Sequence, residues 1–288
     1  MSTMRLGGVD IIRVVEIPRS TYPTTDMLPT SDAAAIAHHR AGWLGAFYDA
    51  STGDLGSRIQ SYVVRTPDET VVIDTCVGND KARENPLWNR RQGTWLDDLR
   101  AAGVSPESVD YVLCTHMHVD HVGWNTRLES GKWTPTFPRA TYVFVGEEWE
   151  FWNHERQSGR DHDGCIDDSV LPIVEAGRAR LVDSSAAIGK YLRFEPTPGH
   201  TPGHACVRLT TPAGVAVFSG DLMHRVVQVA EPQWSSRFCY DGARAATTRR
   251  AFVEQQADSG TLVCAAHFPT PGYVVRADGG YRFEAKNG

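Results

Sequence analysis

The chain has 288 residues, 41% of them hydrophobic, and a formal net charge of −6 at pH 7. That length buries a substantial core as one domain, residues 1–288, and the acidic balance argues against a generally nucleic-acid-binding surface. No apolar run approaches transmembrane length and Met1 to Gly8 lacks the apolar centre of a secretory signal, so a cytoplasmic protein without a membrane partner is expected.

In chain order, Ile11 to Ile17 reads as a strand. The segment from Ser20 to Gly56 is irregular, with Pro23, Pro29, a short helix at Asp32 to His39 and an apolar cluster of Trp43, Leu44, Phe47 and Tyr48. It reads either as a lid or partner-binding arm or as a stretch packed on the body. Ser61 to Thr66 and Thr70 to Asp74 form a hairpin around Pro67 and Asp68. A helical pattern from Thr94 to Ala102 stops at Gly103, and Tyr111 to Cys114 supplies the next strand. Thr141 to Val145 reads as a strand and Glu147 to His154 as a short helix. The second half places strands at 191–195, 205–210 and 214–218, a helix near Ala243 to Ala257, and strands at 261–265, 273–276 and 281–284. Two β layers flanked by helices follow, an α/β architecture. The six cysteines, Cys76, Cys114, Cys165, Cys206, Cys239 and Cys264, form no CxxC pair and read as free, mostly buried thiols outside any metal site.

The run His116 Met117 His118 Val119 Asp120 His121 places four metal-binding side chains within six residues, directly after an apolar strand. In an extended segment His116, His118 and Asp120 fall on one side and His121 on the other, so one loop can serve two ions. Imidazoles mixed with carboxylates suit zinc and its first-row neighbours, whereas calcium or magnesium calls for oxygen ligands almost alone. Further candidates follow at strand ends. Pro198 Gly199 His200 Thr201 Pro202 Gly203 His204 offers two histidines in one turn, and spacing does not choose between them. The buried run Val215 to Phe218 ends at Ser219 Gly220 Asp221, and Thr261 to Ala266 ends at His267. Carboxyl ends of strands are where α/β proteins place chemistry.

Through HxHxDH at 116–121, PGHTPGH at 198–204, FSGD at 218–221 and AAHFP at 265–269, the chain resembles the metallo-β-lactamase-fold hydrolases. The resemblance implies an αββα four-layer sandwich holding two divalent ions, zinc first, with manganese, iron or cobalt as alternatives. It assigns His116, His118 and His200 to one ion, Asp120, His121 and His267 to the other, and Asp221 to both, which favours His200 over His204. It further implies that a metal-bridging hydroxide, oriented by Asp120, cleaves an ester, lactone or phosphotriester in a small-molecule substrate. The C-terminal third looks most like the methyl parathion hydrolase branch, which also resembles lactone- and ester-opening enzymes. His224 stands three residues after the bridging carboxylate, where lactone-opening relatives often carry Tyr. It is expected to touch the substrate without binding metal. Trp88, Trp149 and Trp152 are expected to wall a hydrophobic pocket.

A glyoxalase II-type thioesterase or an iron-dependent sulfur dioxygenase shares HxHxDH and GHTPGH and is the main rival. Its basic glutathione-binding C-terminal region has no counterpart in Ala277 Asp278 Gly279 Gly280. A binding module with a structural metal is disfavoured, because closed structural sites seldom use seven ligands for two ions. A homodimer is left open by the sequence.

Overall fold

Alternating Val, Ile and aromatic residues build two seven-stranded sheets, and across each the strands lie in the order of the chain. The computed structural model describes residues 2–19, 22–161, 163–277 and 279–286. The first sheet comprises Ser2–Leu6, Val9–Ile17, Ile59–Arg65, Thr70–Ile73, Tyr111–Leu113, Thr141–Val145 and Ala179–Val182. The second comprises Ala187–Ile188, Leu192–Pro196, Ala205–Thr211, Gly214–Phe218, Leu262–Cys264, Gly272–Ala277 and Gly280–Ala285.

Most neighbours are antiparallel, but Thr70–Ile73, Tyr111–Leu113, Thr141–Val145 and Ala179–Val182 run parallel, as do Gly214–Phe218 and Leu262–Cys264. Parallel neighbours need long crossovers, and helices Trp95–Ala101, Gly146–Gln157 and Gly242–Gln256 lie in three of them. Four of the parallel strands end at the same rim. Their C-terminal ends lead into Asp74, His116, Asp221 and His267.

The pleat sends neighbouring residues to opposite faces, and both faces are buried. Ile12, Val14, Val63 and Val72 face an outer apolar layer that includes Trp95 and Leu99 of the helix Trp95–Ala101. Ile11, Val64 and Val71 face inward and meet Val207 and Ala216 of the second sheet. On the far side of that sheet, Val217 and Val263 pack with Phe252 and Val253 of the helix Gly242–Gln256. Three stacked apolar layers between four structural layers make the expected αββα sandwich. All six cysteines are free, as expected, and five are buried. Among the described residues no helix is long and apolar enough to cross a membrane.

Some elements were hidden from sequence reading. Ser2–Leu6 adds an edge strand, and the hairpin Thr126–Glu129 with Lys132–Pro135 follows the histidine-rich loop. The segment read as lid or arm is packed down. Leu28 and Leu44 are fully buried, and Met27, Phe47 and Leu55 nearly so, against the outer face of the second sheet. Its helix, Ala33–Ala41, is capped by the Asp32 carboxylate, which accepts from Ala34 N at 2.6 Å. Ser20 and Thr21, where the expected arm begins, lie outside the described residues.

Because Leu44 is enclosed, Leu44→Ala should lower unfolding free energy by about 2–5 kcal/mol, the usual cost of a large-to-small change in a core. Denaturant melts read this directly. A change within about 0.5 kcal/mol, the range of ordinary surface substitutions, would mean that the arm is detached in solution.

Candidate metal centre

The strand Tyr111–Leu113 delivers the chain to Thr115, whose backbone N–H donates to Asp74 Oδ1 at 2.8 Å. From there His116 and His118 turn inward. His118 Nδ1 lies 3.1 Å from His116 Nε2 and 2.8 Å from His200 Nε2, so three imidazole nitrogens converge. The extended geometry expected of the loop stops at His118. Val119–Val122 closes a single helical turn, which takes Asp120 away from His116 and His118 and groups it with His121 and His267.

Two donor sets result, His116, His118, His200 and Asp221 in one, and Asp120, His121 and His267 in the other, each with its ligand atoms within 4.8 Å of one another. Asp221 reaches both. Its Oδ2 lies 3.3 Å from His200 Nε2 and 3.8 Å from His116 Nε2, while Oδ1 lies 3.0 Å from His121 Nε2 and 2.9 Å from His267 Nε2. Asp120 Oδ1 and Oδ2 lie 3.7 Å from His121 Nε2 and 3.6 Å from His267 Nε2.

The residues fit divalent metal. His121 Nε2 and Asp221 Oδ1 are buried and 3.0 Å apart, yet neither makes an aligned hydrogen bond. Buried polar atoms left in that state are costly unless something else satisfies them, and a cation between nitrogen and oxygen donors does so. The opposite ring nitrogens are held as metal-binding imidazoles require. His121 Nδ1 pairs with Asp74 Oδ2 at 2.9 Å, His267 Nδ1 donates to the Arg58 carbonyl at 2.7 Å, and His116 Nδ1 meets Thr115 Oγ1 at 3.1 Å. His200 Nδ1 faces Cys239 Sγ at 3.6 Å.

Charge is divided between the two sets. Burial pushes His116 and His118 well below the usual imidazole value, and His200 to about 4, which keeps them neutral and able to donate a lone pair. Burial also opposes charge on His121, but Asp221, Asp120 and Asp74 outweigh it and hold that imidazole well above its usual value. Burial alone would raise Asp221, yet His121, His267 and His224 hold it well below the carboxylate range. A metal ion taken up at His121 would have to displace the proton that these carboxylates favour.

His204 belongs to neither donor set. Its Nε2 accepts from the Asp221 backbone N–H at 3.1 Å and its Nδ1 meets the Thr197 carbonyl at 3.1 Å, so it fixes the backbone of the bridging residue. His224 stands beside the cluster, Nε2 3.1 Å from Asp221 Oδ2, its ring nearly parallel to His267 with centroids 5.3 Å apart. Neither of its ring nitrogens has an aligned hydrogen bond, and with Asp221 and His267 it forms a third group of close donor atoms.

A cavity of about 500 Å³ opens onto Asp120, Asp221, His224 and His267. Trp88 and Trp152 stand in its wall, with the Trp152 ring edge-on to His118 at 5.2 Å. Trp149 does not. It precedes Trp152 by three helical positions, about 60° of rotation; both half-buried indoles pack against the outer core of the first sheet, but only Trp152 also lines the cavity. Trp124 is core, stacked on Trp95. The wall is completed by Tyr22, Met27 and Phe238, which sequence reading did not single out.

Two carboxylates were also missed. Asp74 carried the same strand-end signature as Asp221, whereas Glu148 carried none. Glu148 is buried, its Oε1 accepting from Met117 N at 3.0 Å and Trp152 Nε1 at 2.7 Å and its Oε2 from Gly203 N at 3.0 Å. It ties the two histidine loops together.

Residues 56–267 match the family model described as the metallo-beta-lactamase superfamily. An N-acyl homoserine lactonase from a Bacillus species is 21% identical over 165 residues, 52% of this chain and 57% of that protein. Metallo-beta-lactamase domain-containing protein 1 of Xenopus laevis is 28% identical over 177 residues, 60% of this chain and 58% of that protein. The chain thus spans somewhat more than half the length of these curated relatives. Among solved structures, the hydrolase AbOPH of the beta lactamase superfamily superposes with a TM-score of 0.81 at 24% identity, covering 99% of this chain and 97% of that one. AidC, a dizinc quorum-quenching lactonase, gives 0.79 at 18% identity, covering 100% and 97%. At such identities the structural likeness speaks for the fold alone. The family match extends from the arm to His267 and takes in every strand end that carries a donor, so the chain belongs to the metallo-beta-lactamase superfamily.

Proposed function

We propose that this chain is a hydrolase that uses two divalent metal ions to cleave an ester, lactone or phosphotriester bond in a small molecule. The carrying observation is the division of Asp221, with one oxygen toward His121 and His267 and the other toward His116 and His200. His116, His118 and His200 would hold one ion, Asp120, His121 and His267 the other, and Asp221 both. Zinc suits the mixed nitrogen and oxygen donors best. Bound there, the pair would bring the pKa of a shared water toward about 7 and polarise the oxygen under attack.

The protein's own groups supply the rest. Asp120 takes a proton from the attacking water on a carboxylate oxygen and orients it toward the substrate. His224 reaches the cavity with a ring nitrogen free to hydrogen-bond the leaving oxygen. That placement, together with the C-terminal third, supports a methyl parathion hydrolase-like branch. Trp88 and Trp152 exclude water from one side and offer apolar surface to an aryl or acyl group.

Elemental analysis of purified protein should find about two zinc-class ions per chain, and chelation should abolish turnover until metal is returned. Full activity with one ion or none would sink the binuclear reading, and tight iron alone would favour the oxygenase rival. A panel of chromogenic aryl esters, acyl-homoserine lactones, phosphotriesters and thioesters then sorts the electrophile.

His200→Ala should lose metal and activity together. His204→Ala, which strips the acceptor from a buried backbone N–H, should chiefly cost stability, about 1–3 kcal/mol. The reverse pattern would exchange their roles. For His224→Ala we expect both ions retained and turnover lowered by roughly ten- to ten-thousand-fold, as when a positioned acid, base or donor is removed. Unchanged turnover in loaded, folded protein would remove His224 from the chemistry, and lost metal would make it a ligand.

A further inference from the structure

Three arginines reach the cavity wall, Arg19, Arg58 and Arg160. Arg19 is paired with Asp49 at 3.1 Å, and Arg160 with Glu155, its Nε 2.8 Å from Oε2. Arg58 differs. Among the described residues its guanidinium takes no hydrogen bond and no ion pair, although the side chain is half-buried. Burial, with Arg13 nearby, pulls its pKa below the usual guanidinium value against the lesser pull of Tyr62 and Asp49, and that carboxylate is already paired with Arg19. Arg13 itself is committed to the Pro269 carbonyl at 2.7 Å. A half-buried guanidinium in a cavity wall, with its donors unused by the described residues, is open to an anion that enters the cavity.

Its position is fixed next to the metal donors. Arg58 N donates to the His267 carbonyl at 3.1 Å, and the Arg58 carbonyl accepts from His267 Nδ1 at 2.7 Å. The two residues are therefore locked back to back at the end of the strand Ile59–Arg65. Register places Arg58 on the same strand face as Gln60 and Tyr62, which bond the Ala265 carbonyl. Arg58 and His267 line the same cavity.

We propose that Arg58 binds an anionic oxygen group of the substrate, so that the natural substrate is an acidic ester or lactone carrying a carboxylate or phosphate group apart from the bond that is cleaved. The inference rests on the hydrolase reading and names the substrate class for that site. A planar guanidinium meets either anion with two parallel N–H donors, which anchors and orients the molecule while its acyl carbon faces the metal donors. A neutral substrate would offer this cation no opposite charge. The site would then favour the acidic molecule in the transition state as well as in the ground state.

Three 4-nitrophenyl esters of matched chain length test this, ending in a carboxylate, a phosphonate and a neutral methyl ester. The metal-loaded wild type should prefer the acidic esters in kcat/KM. In R58Q the ratio of acidic to neutral kcat/KM should fall about ten- to a hundredfold, the worth of a charge-assisted hydrogen bond, and R58K should restore part of it. The carboxylate and phosphonate arms separate the two anion sources. Metal content and unfolding midpoint, measured on each variant, report damage to the fold. An unchanged ratio in R58Q, or an equal fall for all three esters, would overturn the proposal. Equilibrium binding of glutarate to the metal-loaded protein gives a readout independent of turnover. Binding weakened about tenfold or more in R58Q supports the subsite even if no ester is cleaved, in which case the hydrolase reading alone fails. Equal binding by R58Q and wild type overturns the subsite.

Discussion

Everything in the rim of this sandwich is arranged around one buried carboxylate, that of Asp221. Taking a carboxylate out of water costs several kcal/mol unless opposite charge and hydrogen bonds replace the lost hydration. Here the replacement comes from five imidazoles around its two oxygens and a sixth on its own backbone N–H. Gly220 makes the approach feasible. It sits at φ 48, and a Cβ there would lie 2.5 Å from Thr115 Oγ1 and 2.8 Å from His204 Nε2. The glycine of FSGD and the second histidine of PGHTPGH therefore act on the same few atoms.

The donors come from both halves of the chain, so their geometry depends on what joins the sheets. The loop at 116–121 follows a strand of the first sheet, while His200, Asp221 and His267 sit at the rim of the second. Glu148 spans the divide by accepting backbone N–H groups from Met117 and Gly203, and burial raises its pKa against those hydrogen bonds. Gly203 must lack a side chain for this contact, since a Cβ would lie 2.4 Å from Glu148 N. Asp74 performs the matching task within the first sheet, holding Thr115 and the imidazole of His121. Carboxylates crowd this rim. Divalent ions held there would relieve that crowding, and metal loading would then be coupled to folding stability.

What the sequence displayed follows from the range of each interaction. Strands with alternating apolar residues, and helices such as Gly242–Gln256, are set by local periodicity and were readable to within a residue or two. The loops that carry the candidate ligands stood out because possible metal donors of unusual density follow apolar strands. The one-turn helix at Val119–Val122 was not, since its apolar and polar residues fit an extended loop equally well. Pocket walls depend on partners remote in sequence. Tyr22 stands edge-on to Trp88 and Phe238, two residues from distant segments, and nothing local marks it as a wall. Trp149 and Trp152 carry the same local signal and pack on the same core, yet only Trp152 also reaches the cavity.

The wall carrying Trp88 is fixed by charge as well as by apolar packing. Asp168 takes both guanidinium nitrogens of Arg83 at 2.7 and 2.9 Å and lies 3.4 Å from Lys81 Nζ, which also bonds Thr126 Oγ1 at 2.8 Å and sits over the Trp133 ring. Burial brings Lys81 down to about 8 against the opposing pull of Asp168. Such a network adds little net stability compared with an apolar cluster of the same volume, because the desolvation of three charges offsets their attraction. It is, however, directional. Arg83 also donates to the Asp163 carbonyl at 3.1 Å, so the chain bearing Asn85 and Trp88 is tied to the chain bearing Asp161 and Cys165, and all four of those residues face the cavity. Two opposing walls are thereby held at one spacing by bonds that tolerate little drift in angle, whereas an apolar contact would let them slide. The shape of the cavity therefore rests on the Lys81, Arg83 and Asp168 cluster, none of which lines it.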